Sequence, residues 1–153
     1  RAMAIGSPTR MLVCGGYSSP ANKNTIDFFT FSTTGNATDF GDLSEAKNTG
    51  GGSSNAVTGF VSDATDYDKI TIATLGNGLD TGDLSLTRTS FGSTSSKTRA
   101  VFGGGYLPAS PNAAQNTLDY QQFASEGNFI DFGDLSTTLR NTAGLSNGHG
   151  GLG

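Results

Sequence analysis

Residues 34–44 read TGNATDFGDLS, residues 75–85 read LGNGLDTGDLS and residues 126–136 read EGNFIDFGDLS. In each copy a Gly-Asn pair precedes Gly-Asp-Leu-Ser at the same spacing, and an Asp stands two positions before the second Gly: Asp39, Asp80 and Asp131. Three in-register copies mark an internal repeat, and any fold has to satisfy its period. Working outward, a second shared element precedes each copy: NTID at 24–27, NTLD at 116–119 and a looser DYDKI at 66–70. Further upstream, RMLVCGGY at 10–17 matches RAVFGGGY at 99–106, while the middle unit has NAVTGFVS at 55–62. A basic residue follows each Gly-Asp-Leu at short range, Lys47, Arg88 and Arg140, and Arg1 reads as the counterpart from an earlier repeat.

Those basic residues give steps of 46 residues from Arg1 to Lys47, 41 from Lys47 to Arg88 and 52 from Arg88 to Arg140. The length differences fall between the double glycine and the NT(I/L)D element, where the third unit carries LPASPNAAQ and the first only SSPANK. A stretch that absorbs insertions reads as an exposed loop. Each unit divides into four short strand-like runs separated by Gly, Asn, Ser and Thr; in the third these are 89–93, 99–103, 117–124 and 129–135. Four strands per repeat of this length predict an all-β chain, a β-propeller of four-stranded antiparallel blades rather than a helical solenoid. The expected blades are 1–46, 47–87 and 88–139, with 140–153 opening a fourth, all in one repeat domain. Val101-Phe102 before the glycines reads as a strand buried on both faces, with glycine letting neighbouring blades approach.

Composition agrees and excludes. The chain has 153 residues, 23 of them Gly, and only 14% are charged. That disfavours long surface helices laced with ion pairs. A net charge of −4 without a Lys/Arg cluster leaves no basis for holding phosphate backbones, so nucleic acid is not an expected partner. No apolar run approaches a bilayer span, and no basic and apolar leader opens the chain, so membrane insertion is not expected. One cysteine, Cys14, precludes an intrachain disulfide, and one histidine, His149, precludes a His-rich metal site. The chain opens on Arg1, with its first Met at position 3, and stops in a glycine-rich stretch. Neither end is taken as native. Residues 1–7 and 149–153 are expected to be repeat ends that leave Met3, Ile5 and Leu152 partly uncovered and strand edges open to pairing.

An apolar run closing on Gly-Gly, a strand bearing an aromatic (Phe28, Tyr120), an aromatic ahead of a short leucine segment (Phe40 before Leu43, Phe132 before Leu135) and then Arg or Lys together resemble the kelch repeat of β-propellers. The resemblance spans nearly the whole chain. It departs where kelch repeats usually place Trp, since the chain has none and uses Phe40, Thr81 or Phe132. The Gly-Asn-x-x-Asp-Phe-Gly-Asp-Leu-Ser variant is similar to kelch-like repeats of bacteriophages and environmental bacteria. That implies a virion or cell-surface component, a tail or appendage part, in contact with further repeats of its own kind, other virion proteins or host-surface glycans. A propeller fold alone does not fix function.

Candidate chemistry is sparse. The glycine stretches 15–16 and 103–105 lack the Gly-Lys-Ser/Thr of a phosphate cradle and read as close-packing positions. The pairs Asp39/Asp42, Asp80/Asp83 and Asp131/Asp134 occur in every unit, which suits turn closure better than a catalytic pair or Ca²⁺ ligation. Asp63, Asp66 and Asp68 form an acidic cluster confined to one unit, without Ca²⁺-loop spacing. Any Ser or Thr nucleophile would need His149 as its base, and kelch-fold copper chemistry needs two His. The expectation is a protein that is not an enzyme, with no catalytic residue, cofactor or metal. Tyr17 and Tyr106, each directly after a double glycine, are the candidate ligand contacts, for glycans if the module is lectin-like; the other reading of both is a packed loop base.

Overall fold

The structure, a computed structural model, describes residues 1–110 and 113–148. These contain no helix, hence none long and apolar enough to cross a membrane. Their strands form three four-stranded antiparallel sheets, each a meander in chain order. The first holds β1 (Met3–Gly6), β2 (Arg10–Ser18), β3 (Ala21–Thr30) and β4 (Thr38–Lys47); the second β5 (Gly51–Ser54), β6 (Thr58–Ser62), β7 (Asp66–Thr71) and β8 (Leu79–Asp83). The third holds β9 (Gly92–Ser95), β10 (Arg99–Gly103), β11 (Gln115–Gln122) and β12 (Ile130–Leu139). All-β is thus the architecture, and the described residues make three sheets, not a closed ring.

The same local chemistry turns each sheet's first corner. The Ser7 hydroxyl accepts from the amides of Thr9 and Arg10, both at 3.3 Å; Asn55 Oδ1 accepts from Val57 and Thr58, both at 2.8 Å; Ser96 Oγ accepts from Thr98 at 3.2 Å and Arg99 at 3.1 Å. Short polar side chains that bond the backbone two and three residues on favour such turns over longer strands.

Strand pairing fixes the residue equivalences. Met3 pairs Cys14 as Gly51 pairs Ser62 and Gly92 pairs Gly103, so Val13, Val61 and Phe102 share one place, as do Leu12, Phe60 and Val101. On the third strands, Asp27, Asp68 and Asp119 are equivalent, each opposite the Val13, Val61 or Phe102 of its own sheet. Alternation then gives every sheet a forward face and a rear face. The forward face of the first sheet (Leu12, Cys14, Ile26, Phe40, Leu43) packs on the rear face of the second (Val61, Ile70, Ile72). The forward face of the second (Phe60, Tyr67, Leu84) packs on the rear of the third (Ala100, Phe102, Phe123).

Strands β1, β5 and β9 lie side by side, stitched by hydroxyls that donate to carbonyls: Ser54 to Gly6 at 2.9 Å, Ser93 to Gly52 at 2.7 Å and Ser95 to Ser54 at 2.7 Å. The chain continues this row after β12. The Asn141 amide donates to Ser90 O at 2.9 Å, as Ser90 does to Thr49 O at 2.7 Å and Thr49 to Arg1 O at 3.4 Å. Thr49, Ser90 and Asn141 share a left-handed φ of 59°, 56° and 55°. The Thr94 hydroxyl donates to Leu145 O at 2.8 Å, as that of Ser53 does to Thr94 O at 2.8 Å. Residues 141–146 therefore lie on β9 in the register in which β9 lies on β5.

Several expectations change. This register makes Arg1 the counterpart of Thr49 and Ser90, not of Lys47. Gln115 pairs Leu139 as Lys23 pairs Lys47, so Leu139 holds the place of Lys47 and Arg140 is displaced by one residue. Met3 and Ile5 are buried, because β1 is the inner strand of a complete sheet packed on the second. The run at 89–93 starts its strand only at Gly92, since Thr89 bridges Tyr106 and Ser90 turns the chain. Val101 is half-buried while Phe102 is fully buried: only the rear face of β10 is covered. The double glycines serve their own sheet. A Cβ on Gly15, whose φ is +61°, would stand 2.5 Å from Lys47 O, and one on Gly104, with φ +71°, would stand 2.8 Å from Leu139 O. His149 and Leu152 lie outside the described residues.

Candidate functional site: the seams between sheets

The repeated motif is a connector. Where the second sheet meets the first, the Gly76 amide donates to Phe40 O at 3.0 Å, the Asp42 amide to Asn77 Oδ1 at 3.0 Å and the Gly78 amide to Asp42 O at 2.8 Å. Where the third meets the second, Gly127 donates to Thr81 O at 2.9 Å, Asp83 to Asn128 Oδ1 at 3.1 Å and Phe129 to Asp83 O at 2.7 Å. The Gly-Asn of the second and third units thus hooks the Gly-Asp of the unit before it. The hook needs a bare backbone: a Cβ on Gly41 or Gly82 would stand 2.5 Å or 2.6 Å from the facing Gly76 O or Gly127 O.

A buried polar clasp lies beside each hook. Asp68 accepts from the Ser44 amide and hydroxyl, both at 2.6 Å, and stands 3.8 Å from Lys47 Nζ, which pairs also with Asp66 and, at 3.3 Å, with Glu45. In the next seam Asp119 accepts from the Ser85 hydroxyl and pairs at 2.9 Å with Arg88, which donates to Phe102 O at 3.1 Å. Lys47, Asp68, Arg88 and Asp119 are all fully buried, which a charge tolerates only when paired. Burial works to lower the Lys47 ammonium, but its carboxylate neighbours Asp66, Asp68 and Glu45 outweigh it and hold the group above its ordinary value. Burial pulls the Arg88 guanidinium down against the opposing charge of Asp119. Burial pushes Asp63 up, although it accepts from the Asn48 amide at 2.7 Å. The cluster Asp63, Asp66 and Asp68 therefore faces Lys47 and the backbone of the first sheet; its acids serve a seam.

The predicted turn acids divide. Asp80 Oδ1 accepts from Gly82 N at 3.3 Å and Asp131 Oδ1 from Gly133 N at 2.9 Å, which closes a local turn. Asp42 and Asp83 lend their backbones to the hooks instead. Tyr17 is 58% exposed at the end of β2, whereas Tyr106 is half-buried and its backbone is pinned to Thr89 by bonds of 3.0 Å and 2.9 Å. Tyr17 lies on β2 of the first sheet, and Tyr106 bridges Thr89 and Ala114 beside the third. A cleft of about 360 Å³ between the inner strands is lined by Ile5, Met11, Phe31, Ser53, Thr94 and Leu145, with no charged side chain. Sequence reasoning missed Asp68 and Asp119, with Ser44 and Ser85 of Gly-Asp-Leu-Ser, as seam residues. Their recurrence was visible, but not that the two motifs meet across units. No protein-family model matches the chain, and no curated protein matches it.

Proposed function

We propose that the chain is a run of kelch-like β-propeller blades acting as a non-enzymatic structural or adhesive component of a virion, in a tail or surface appendage, or of another extracellular assembly. The observation that carries the architectural part is the seam: two successive sheets dock on their predecessors through equivalent hooks, clasps and inner-strand stitches, and residues 141–146 begin the next step. Repetition of one contact in one direction is how a propeller or solenoid grows. The virion or extracellular setting rests on the resemblance of the repeat. The non-enzymatic role rests on where the recurrent polar residues go, into contacts between sheets rather than into a cleft.

A second reading, a lectin-like glycan-binding module, is favoured by the exposure of Tyr17, since aromatic faces at a loop base stack on sugars. The test is a panel of glycosides and esters together with a glycan array. No turnover and no binding is expected. Turnover abolished by His149→Ala would overturn the non-enzymatic role, and binding abolished by Tyr17→Ala or Tyr106→Ala would put the lectin-like reading in its place.

A further inference from the structure

The two end sheets carry opposite halves of the seam. The third sheet's forward face repeats the first sheet's, uncovered. In the first sheet Arg10 lies 5.1 Å from the Phe28 ring centroid, Phe28 meets Phe40 at 5.9 Å, and Arg10 reaches Ile72 O of the second sheet at 3.3 Å. In the third, Arg99 lies 5.3 Å from Tyr120, which meets Phe132 at 5.6 Å. The stack is preformed in both. Phe40 is 3% exposed and Phe132 is 51% exposed, and Ser136, the counterpart of Ser44 and Ser85, has no clasp partner among the described residues.

We propose that this face seats a fourth blade of the same repeat, built by three strands that continue from residues 141–146; the inference rests on the propeller reading above. Its chemistry is specified by the seams already formed: a Gly-Asn turn to hook the backbone of Phe132 and Asp134, a third-strand Asp to take the Ser136 hydroxyl, and a small apolar rear face to cover Tyr120, Phe132 and Leu135. The occupant is not a second copy presenting its complete first sheet. Such a copy brings its own β1, and the place that β1 would take beside β9 is already filled by residues 141–146, held through Asn141, Leu145 and the Ser95 to Ser146 hydroxyl contact at 2.7 Å. The third seam differs in one respect. Leu139 replaces the buried cation, so the incoming Asp is held by the Ser136 hydroxyl without a Lys or Arg in that place.

The register places Asn141 on Arg1, so a copy of residues 10–47 joined after His149 supplies the missing strands in phase. In the 153-residue chain, Phe132→Ser is expected to leave the melting temperature within about one degree, as for an exposed side chain. In the extended chain the same change is expected to lower it by several degrees, as Phe40→Ser does in the parent. The extended chain should also bind several-fold less of a hydrophobic dye. Equal effects of Phe132→Ser in the two chains, with the added strands degraded by protease, would overturn the proposal. So would a parent that light scattering shows to be a dimer and that Phe132→Asp makes monomeric, since the occupant would then be a second copy. Turnover or glycan binding would count against the proposed role and leave these melting shifts untouched.

Discussion

Asn36, Asn77 and Asn128 hold the same place in the repeat and differ in their neighbours. Asn77 and Asn128 each accept an amide from the sheet before, whereas Asn36 has no sheet before it and no hydrogen-bond partner among the described residues. Asn77→Ala and Asn128→Ala should each cost about 1 kcal/mol in urea unfolding, the net worth of one hydrogen bond, and Asn36→Ala close to none. Cys14 reports on the same packing. Burial, with Asp68 adding to it, raises its thiol from 9.0 to about 12. A thiol held neutral is a poor nucleophile, so an aromatic disulfide at pH 8 should label Cys14 only as fast as the chain unfolds. The unfolded chain releases that proton first. Stability present below pH 9.0 therefore falls as pH rises towards about 12, and Lys47, held above its ordinary 10.5, acts in the same direction. Urea midpoints measured from pH 8 to 11 should decline, and less steeply in Cys14→Ala. The recurrence of these residues could be read from the sequence. Which of them bond locally and which bond across units could not, because a repeat spaces both kinds of partner identically.

At the scale of strands, most of the meander was legible, because polar turn residues bracket each apolar run. Errors arose where a backbone feature rather than a side chain sets the boundary: Ser90 at positive φ delays β9, and a one-residue offset after Gly-Asp-Leu puts Leu139 where a cation was expected. What a single sequence does not reveal is which face of an end sheet stays bare. Phe31, Ile72 and Phe123 each donate a backbone amide to the same corner residue of their sheets, Thr9, Val57 and Thr98, and are thus equivalent. Phe31 is 58% exposed, against 1% for Ile72 and 4% for Phe123. Phe123→Ala should therefore cost about 3 kcal/mol, within the range for emptying a core aromatic site, and Phe31→Ala less than about 0.5 kcal/mol. Glycine gives the parallel contrast. Gly41 and Gly133 both have positive φ, but a Cβ on Gly133 meets nothing within 4 Å. Alanine at either site carries the backbone strain, and the additional loss at Gly41, read from thermal melts, measures the seam.

For the whole molecule, the sequence foresaw repetition and the all-β class but expected open surfaces at Met3 and Ile5, and at Leu152, which lies outside the described residues, and not the bare faces of the end sheets. Burial of β1 against its own and the next sheet accounts for the first two. The repeat is a one-directional connector, its Gly-Asn half satisfied in the second and third sheets and open in the first. Amide hydrogen exchange followed residue by residue by NMR tests it most directly. Slow exchange is expected at Gly76, Gly78, Gly127 and Phe129, whose amides donate across the seams, and fast exchange at their counterparts Gly35 and Ala37, which have no such acceptor among the described residues. Protection of Gly35 and Ala37 equal to that of Gly76 and Gly78 would contradict it, as would fast exchange at all six.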